Sequence, residues 1–333
     1  MKRRTILGLM GLAPFVGTGS ARAAELAGVD AVFDRAARLE GLRTLSIARN
    51  GEIVSERAFN GASLGRSTNI KSASKSVISA LVGMAIDKGV LKGVDEPIAP
   101  LLKADLPANP DARLERVTIG HLLSMQAGLE RMSGGNYGRW VSSRNWVRTA
   151  LAAPFVDEPG GGMLYSTAST HLLSAILTKQ SGRSTLALAR EWFRPLDGFS
   201  IGGWERDPQG IYLGGNQMAM TPASLLAFGE LYRRRGVTAK GERLISEAWI
   251  DQSWTPRTAS VFNGDGYGYS WFLRNMAGER TAYAWGFGGQ MLYIVPSRGL
   301  TIAMTSREDA PSARTGYRDA LHGLTEAIIQ TTA

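Results

Sequence analysis

In this 333-residue chain the strand-like segments lie at the two ends and a helical stretch fills the middle. Near the start, 44–49 and 52–59 flank Asn50-Gly51, a pair suited to a tight hairpin turn because both positions tolerate positive φ. Near the end, 267–274, 281–286, 290–295 and 300–305 are rich in aromatic and β-branched residues, with Pro296-Ser297-Arg298-Gly299 as a turn. The economical assembly is one antiparallel sheet built from both ends and flanked by helices, an α/β fold of α+β type. The α/β lobe then takes about 24–90 and 256–333, and a helical lobe takes about 91–255. A cleft between the lobes is the expected place for a site.

Helical spacing runs over 25–40 and 72–88, the second stopped by Gly89, and a last helix is expected over 312–329. Thr118 is expected to cap 119–126 and Ser142 to cap 143–152. Thr221-Pro222 reads as an N-cap followed by Pro at the first helical position. Arg233-Arg234-Arg235 closes an amphipathic stretch before Gly236, where basic residues complement the helix dipole, so it is not read as a nucleic-acid site.

The absence of Cys excludes thiolate nucleophiles, Cys-ligated metals and lipid attachment through Cys, and three His leave little for a metal site; no metal or cofactor is expected. Residues 1–23 follow the order of an export signal: Lys2-Arg3-Arg4, an apolar stretch to Val16, then Ala21-Arg22-Ala23. Arg3-Arg4-Thr-Ile-Leu resembles a twin-arginine signal, and the apolar part is too short for a membrane anchor. Cleavage after Ala23 would leave 34 basic against 29 acidic residues, reducing +9 to +5. An exported, periplasmic protein is expected.

Three local patterns could carry chemistry. Ser72 and Lys75 share one helix face at i, i+3. A Ser hydroxyl needs a base, and a Lys amine is one when burial or nearby cations lower its pKa. At a helix start, Ser72 also gains free N–H groups for developing negative charge. The plainer reading is a cap beside a solvated lysine. Tyr165, at a loop-to-helix junction after the Gly-rich 158–162 stretch, could share a proton with that pair, or simply pack. Gly286, Gly288 and Gly289 allow close backbone approach, and an N–H there could complete an oxyanion hole; a bulge or turn is the alternative.

Six segments in order make these patterns more specific: Ser-Ala-Ser-Lys-Ser at 72–76, Thr-Ile-Gly-His-Leu-Leu-Ser-Met-Gln-Ala-Gly-Leu at 118–129, Tyr-Ser-Thr-Ala-Ser-Thr-His-Leu-Leu at 165–173, Gly-Gly-Asn-Gln-Met-Ala-Met-Thr-Pro at 214–222, Gly-Tyr-Gly-Tyr-Ser-Trp at 266–271 and Trp-Gly-Phe-Gly-Gly-Gln at 285–290. Together they resemble the penicillin-recognising serine hydrolases, which include class C β-lactamases, D-Ala-D-Ala carboxypeptidases, family VIII carboxylesterases and 6-aminohexanoate-oligomer hydrolases. The resemblance implies a β-lactamase/transpeptidase-like fold. It implies Ser72 as the acylated nucleophile, Lys75 as its proton-accepting partner and Tyr165 as a proton relay. The N–H groups of Ser72 and Phe287 would form the oxyanion hole. Whether Lys75 or Tyr165 is the acylation base stays open.

Two departures bear on the substrate. Thr167 stands where β-lactamases usually have Asn, and Ala284-Trp285-Gly286 replaces Lys-Thr-Gly, removing the cation that helps bind a substrate carboxylate. Trp285 and Gln290 fit the esterase and oligomer-amidase branches. Asn216, Thr167, Tyr137 and Trp140 are further expected substrate contacts, although core packing is the ordinary role of a single Trp. His121 and His171, each beside Leu-Leu, are read as packed, hydrogen-bonded histidines. The expectation is an exported serine hydrolase acting on a small-molecule ester or amide. The alternatives are a D-Ala-D-Ala peptidase or β-lactam-binding enzyme, and a non-catalytic sensor using the same cleft.

Overall fold

The computed structural model describes residues 18–313 and 315–332. The leader expected over 1–23 lies outside them, except that the backbone of 18–23 opens the first helix. The strands are β1 (Leu42–Arg49), β2 (Glu52–Ala58), β3 (Thr68–Asn69), β4 (Gly203–Trp204), β5 (Met218–Met220), β6 (Thr258–Ala259), β7 (Gly266–Tyr267), β8 (Phe272–Met276), β9 (Glu279–Gly286), β10 (Gln290–Val295) and β11 (Leu300–Ser306). The helices are α1 (Thr18–Ala37), α2 (Ser74–Asp87), α3 (Ile98–Leu101), α4 (Ile119–Leu123), α5 (Tyr137–Val141), α6 (Trp146–Leu151), α7 (Thr167–Ser181), α8 (Thr185–Trp192), α9 (Pro222–Arg233), α10 (Glu247–Ser253) and α11 (Tyr317–Thr331).

One antiparallel sheet joins the two ends of the chain in the order β2-β1-β11-β10-β9-β8-β7-β6. Asn50 and Gly51 take positive φ (53° and 93°), which turns β1 into β2, and β1 pairs with β11 from Leu42↔Ser306 to Arg49↔Leu300. Alternation along the strands sends Ile47, Tyr293 and Ile302 to one face, under α1 and α11, and Ala48, Leu292 and Ala303 to the other, over α2 and α9. From Ser74 to Ala85 α2 is buried on all sides, as a central helix between sheet and helical lobe must be. No helix among the described residues is long and apolar enough to cross a membrane.

Thr221 caps α9 through the Ser224 N–H, with Pro222 at the first helical position. Other boundaries differ from expectation. Asn145, not Ser142, caps α6, because the Ser142 hydroxyl donates to the Gly138 carbonyl at 2.8 Å and closes α5 instead. The helix after Thr118 stops at Leu123. A small sheet, β3-β5-β4, joins the segment ahead of α2 to the helical middle. The single strand expected over 267–274 is split, because Ser270 turns to φ 61°; its N–H donates to Leu123 O and its carbonyl accepts the Ser76 hydroxyl. Helices, not a neighbouring strand, satisfy that backbone. The last helix begins only after Gly316, at φ 76°.

Candidate active site

Ser72 lies in a 3-10 turn, Lys71–Ala73, that runs straight into α2. Lys71 holds a left-handed φ of 51° one residue before it, a conformation that costs a non-glycine residue free energy and needs support. Two contacts supply it. The Lys71 N–H donates to Asn69 Oδ1 at 2.9 Å, and the Glu308 carboxylate accepts the Asn69 N–H at 3.1 Å while pairing with Lys71 Nζ at 3.6 Å. The loop after β11 thus clamps the turn that presents Ser72.

One helical turn on, Lys75 is 1% exposed. Its Nζ stands 3.2 Å from Ser72 Oγ, donates to the Gly215 carbonyl at 2.6 Å and lies 5.2 Å from the Tyr165 ring centroid. Burial without a carboxylate partner disfavours the ammonium form and brings its pKa down from 10.5 to about 7. Tyr165, just ahead of α7, is buried; burial outweighs the opposing pull of the nearby Ser72 hydroxyl and pushes the phenol up to about 12. The helix start, the buried amine and the phenol therefore converge on one hydroxyl.

Gly215 was not among the expected site residues. A Cβ there would stand 2.7 Å from Thr167 Cγ2, 2.7 Å from Thr170 Oγ1 and 2.9 Å from Lys75 Nζ, so only glycine lets this carbonyl reach the lysine. Its signals were the Gly214-Gly215 doublet and its place in the 214–222 segment of the resemblance. Ser133 is a second addition: its Oγ accepts the Thr167 N–H at 2.8 Å and shares a hydrogen bond with Thr167 Oγ1 at 2.9 Å. Asn216 follows Gly215 and donates to the half-buried Tyr137 hydroxyl at 2.8 Å.

On the other side of Ser72, β9 ends at Gly286, whose missing side chain lets the strand lie against the Ile70 carbonyl. That contact brings the next residue, Phe287, beside the Ser72 turn. Among the described residues neither the Ser72 nor the Phe287 N–H has a hydrogen-bond acceptor, which leaves both available for an oxyanion. Gly286→Ala would drive a methyl into the Ile70 carbonyl. Its expected result is a loss of roughly 100-fold in kcat for an ester, the scale of one lost oxyanion donor, measured beside circular dichroism to show that the fold is retained.

Two expected substrate contacts, Gln290 and Trp140, have other surroundings, whereas a third, Trp285, stays partly exposed. Gln290 is fully buried; its Nε2 donates to Ser306 O at 2.8 Å and its Oε1 accepts the Ser306 N–H at 3.0 Å. It ties β10 to β11 and does not face a ligand. Trp140 is also fully buried, donates to Trp146 O at 2.9 Å and packs on Trp146 and His171, so it belongs to the core. Trp285 is half-buried, pinned by its Nε1 bond to Ser312 Oγ at 3.0 Å. His121 completes the capping box of α4 with Thr118. His171 pairs with buried Asp207 at 3.0 Å, linking α7 to the loop that leads to Gly215. Among the described residues no group of three or more His, Asp or Glu is placed to hold a metal ion.

Comparison with known proteins agrees with this architecture. The Beta-lactamase family model matches residues 31–326. Among solved structures, a penicillin-binding protein homologue from Caulobacter crescentus superposes with a TM-score of 0.73 at 18% identity, covering 97% of this chain and 99% of that one. A protein assigned as a 6-aminohexanoate-dimer hydrolase from Bacillus anthracis gives 0.72 at 18% identity, covering 91% and 81%. A curated relative, the probable fimbrial assembly protein FimD, serogroup H1, of Dichelobacter nodosus, is 32% identical over 127 residues, 37% of this chain. The match spans about a third of that protein's length (32%). The chain belongs to the beta-lactamase family.

Proposed function

We propose that this member of the beta-lactamase family is exported under its 1–23 leader and cleaves a small carboxylic ester or amide through an acyl-enzyme on Ser72. The observation that carries the reading is the buried Lys75 amine, 3.2 Å from Ser72 Oγ and half neutral near pH 7. Neutral Lys75 takes the Ser72 proton as Oγ attacks the carbonyl carbon, and the Ser72 and Phe287 N–H groups hold the oxyanion. Tyr165, protonated at any ordinary pH with its pKa near 12, gives a proton to the leaving oxygen or nitrogen and is restored from the Lys75 ammonium. Water then attacks the acyl ester and the same groups act in reverse. On this proposal Lys75 is the base and Tyr165 the acid.

A neutral substrate is favoured over a β-lactam or D-Ala-D-Ala peptide. Ala284 supplies no cation, and Arg318, which stacks on Trp285 at 5.0 Å, has its Nε and Nη1 buried. Reaction with a fluorophosphonate probe followed by peptide mass mapping tests the proposal. The label is expected on Ser72, at a rate that climbs with pH through about 7 and then levels as Lys75 becomes fully neutral. A label on another residue would refute the nucleophile, and a rate flat across that range would refute the base.

A further inference from the structure

Most of the large apolar side chains left exposed are gathered at one place. Of the five among the described residues, Val261 (58%), Phe262 (37%) and Phe287 (48%) stand on the β6–β7 hairpin and beside the oxyanion position. Exposed apolar groups concentrated at the mouth of a site mark a surface that a ligand covers.

Phe262 has the most informative position. Its ring meets Tyr165 edge-on at 5.2 Å and 77°, and meets Trp285 edge-on at 5.4 Å and 88°. It therefore fills the corner between the proton-donating phenol and the end of β9. A leaving group departs toward its proton donor, so this corner is where the leaving group stands.

The hairpin is a preformed wall. Ser260 N–H donates to Asp265 O at 2.7 Å and Gly264 N–H to Ser260 O at 2.8 Å. Tyr283 O–H donates to Asp265 Oδ2 at 2.6 Å, and Asn263 Nδ2 donates to the same oxygen at 2.7 Å. Polar groups of the loop are thus spent on holding it, and Nε and Nη1 of Arg318, whose guanidinium stacks on Trp285, are buried. What remains to meet a leaving group is aromatic surface.

Resting on the acyl-enzyme reading above, we propose that the leaving-group side of the cleft selects an apolar, ring-bearing alcohol or amine, with Phe262 as its specificity-determining residue. The test holds the acyl group constant and compares benzyl, ethyl and carboxymethyl butyrate on wild type, Phe262→Ala and Phe262→Leu. Wild type is expected to favour benzyl over ethyl by about tenfold in kcat/KM, on the scale of one buried aromatic contact, and to disfavour the carboxymethyl ester. Phe262→Ala is expected to bring the benzyl-to-ethyl ratio close to one, and Phe262→Leu to keep part of the preference. A ratio unmoved by Phe262→Ala, or a wild-type preference for the carboxymethyl ester, would overturn the inference while the acyl-enzyme reading stands. Failure of wild type to hydrolyse any ester, with no probe on Ser72, would overturn both.

Discussion

Ser72→Ala is expected to lower ester hydrolysis by roughly 10⁴-fold or more, leaving only what the oxyanion donors and substrate binding contribute. No neighbouring hydroxyl is placed to take over. Ser74 is fully buried, and Ser76 donates to the Ser270 carbonyl at 2.7 Å. The variant loses the hydrogen bond to Lys75 but opens no large cavity, so its stability should stay within about 1 kcal/mol of wild type. Steady-state rates on an activated ester, with urea denaturation alongside, check both parts. Turnover retained in a folded Ser72→Ala protein would place the nucleophile elsewhere.

Lys75→Met should reduce kcat/KM by roughly 10³-fold, the value of a positioned general base, and the residual rate should lose its rise through pH 7. Its stability should move the other way. Lys75 titrates near 7 in the fold and at 10.5 when free, so between those values the unfolded chain holds a proton that the folded chain lacks. Stability from this group therefore increases as pH rises from about 7 to about 10.5, and the full cost, roughly 5 kcal/mol, is present below about 7. Methionine removes that cost but leaves the Gly215 carbonyl without its donor, a loss of about 1–3 kcal/mol. The net expectation at pH 7 is a variant about 2 kcal/mol more stable than wild type, with the advantage shrinking toward pH 10. Urea midpoints at the two pH values measure it, and a destabilised variant at pH 7 would mean that Lys75 supports the fold through packing.

Both results would express one trade: a site that needs a neutral amine buries a group that the folded state would rather leave in water. The strained Lys71 ahead of Ser72 belongs to the same pattern, held by Asn69 and Glu308.

What could be read ahead of the structure shares a physical origin. The Asn50-Gly51 turn depends on two adjacent φ values, the α9 start on Thr221 and Pro222, and the Ser72–Lys75 pair on three-residue spacing along one helix; each is set within a few residues. Gln290 and Trp140 were misplaced because a polar amide in a Gly-rich strand and a Trp in a Gly-rich loop look alike whether they meet substrate or core. Burial separates them, and burial depends on the whole fold.

The sequence by itself determined the antiparallel sheet drawn from both ends, the family, and the order of Ser72, Lys75 and Tyr165, because local backbone preferences and ordered motifs suffice for these. Only the tertiary structure decided that Lys75 is dry, that the Gly215 carbonyl, 140 residues away, is its partner, and that Phe262 stands against Tyr165. Those are contacts between distant segments. Desolvation and ring packing arise only when the chain has closed around them, and they set the amine's pKa and the shape of the cleft.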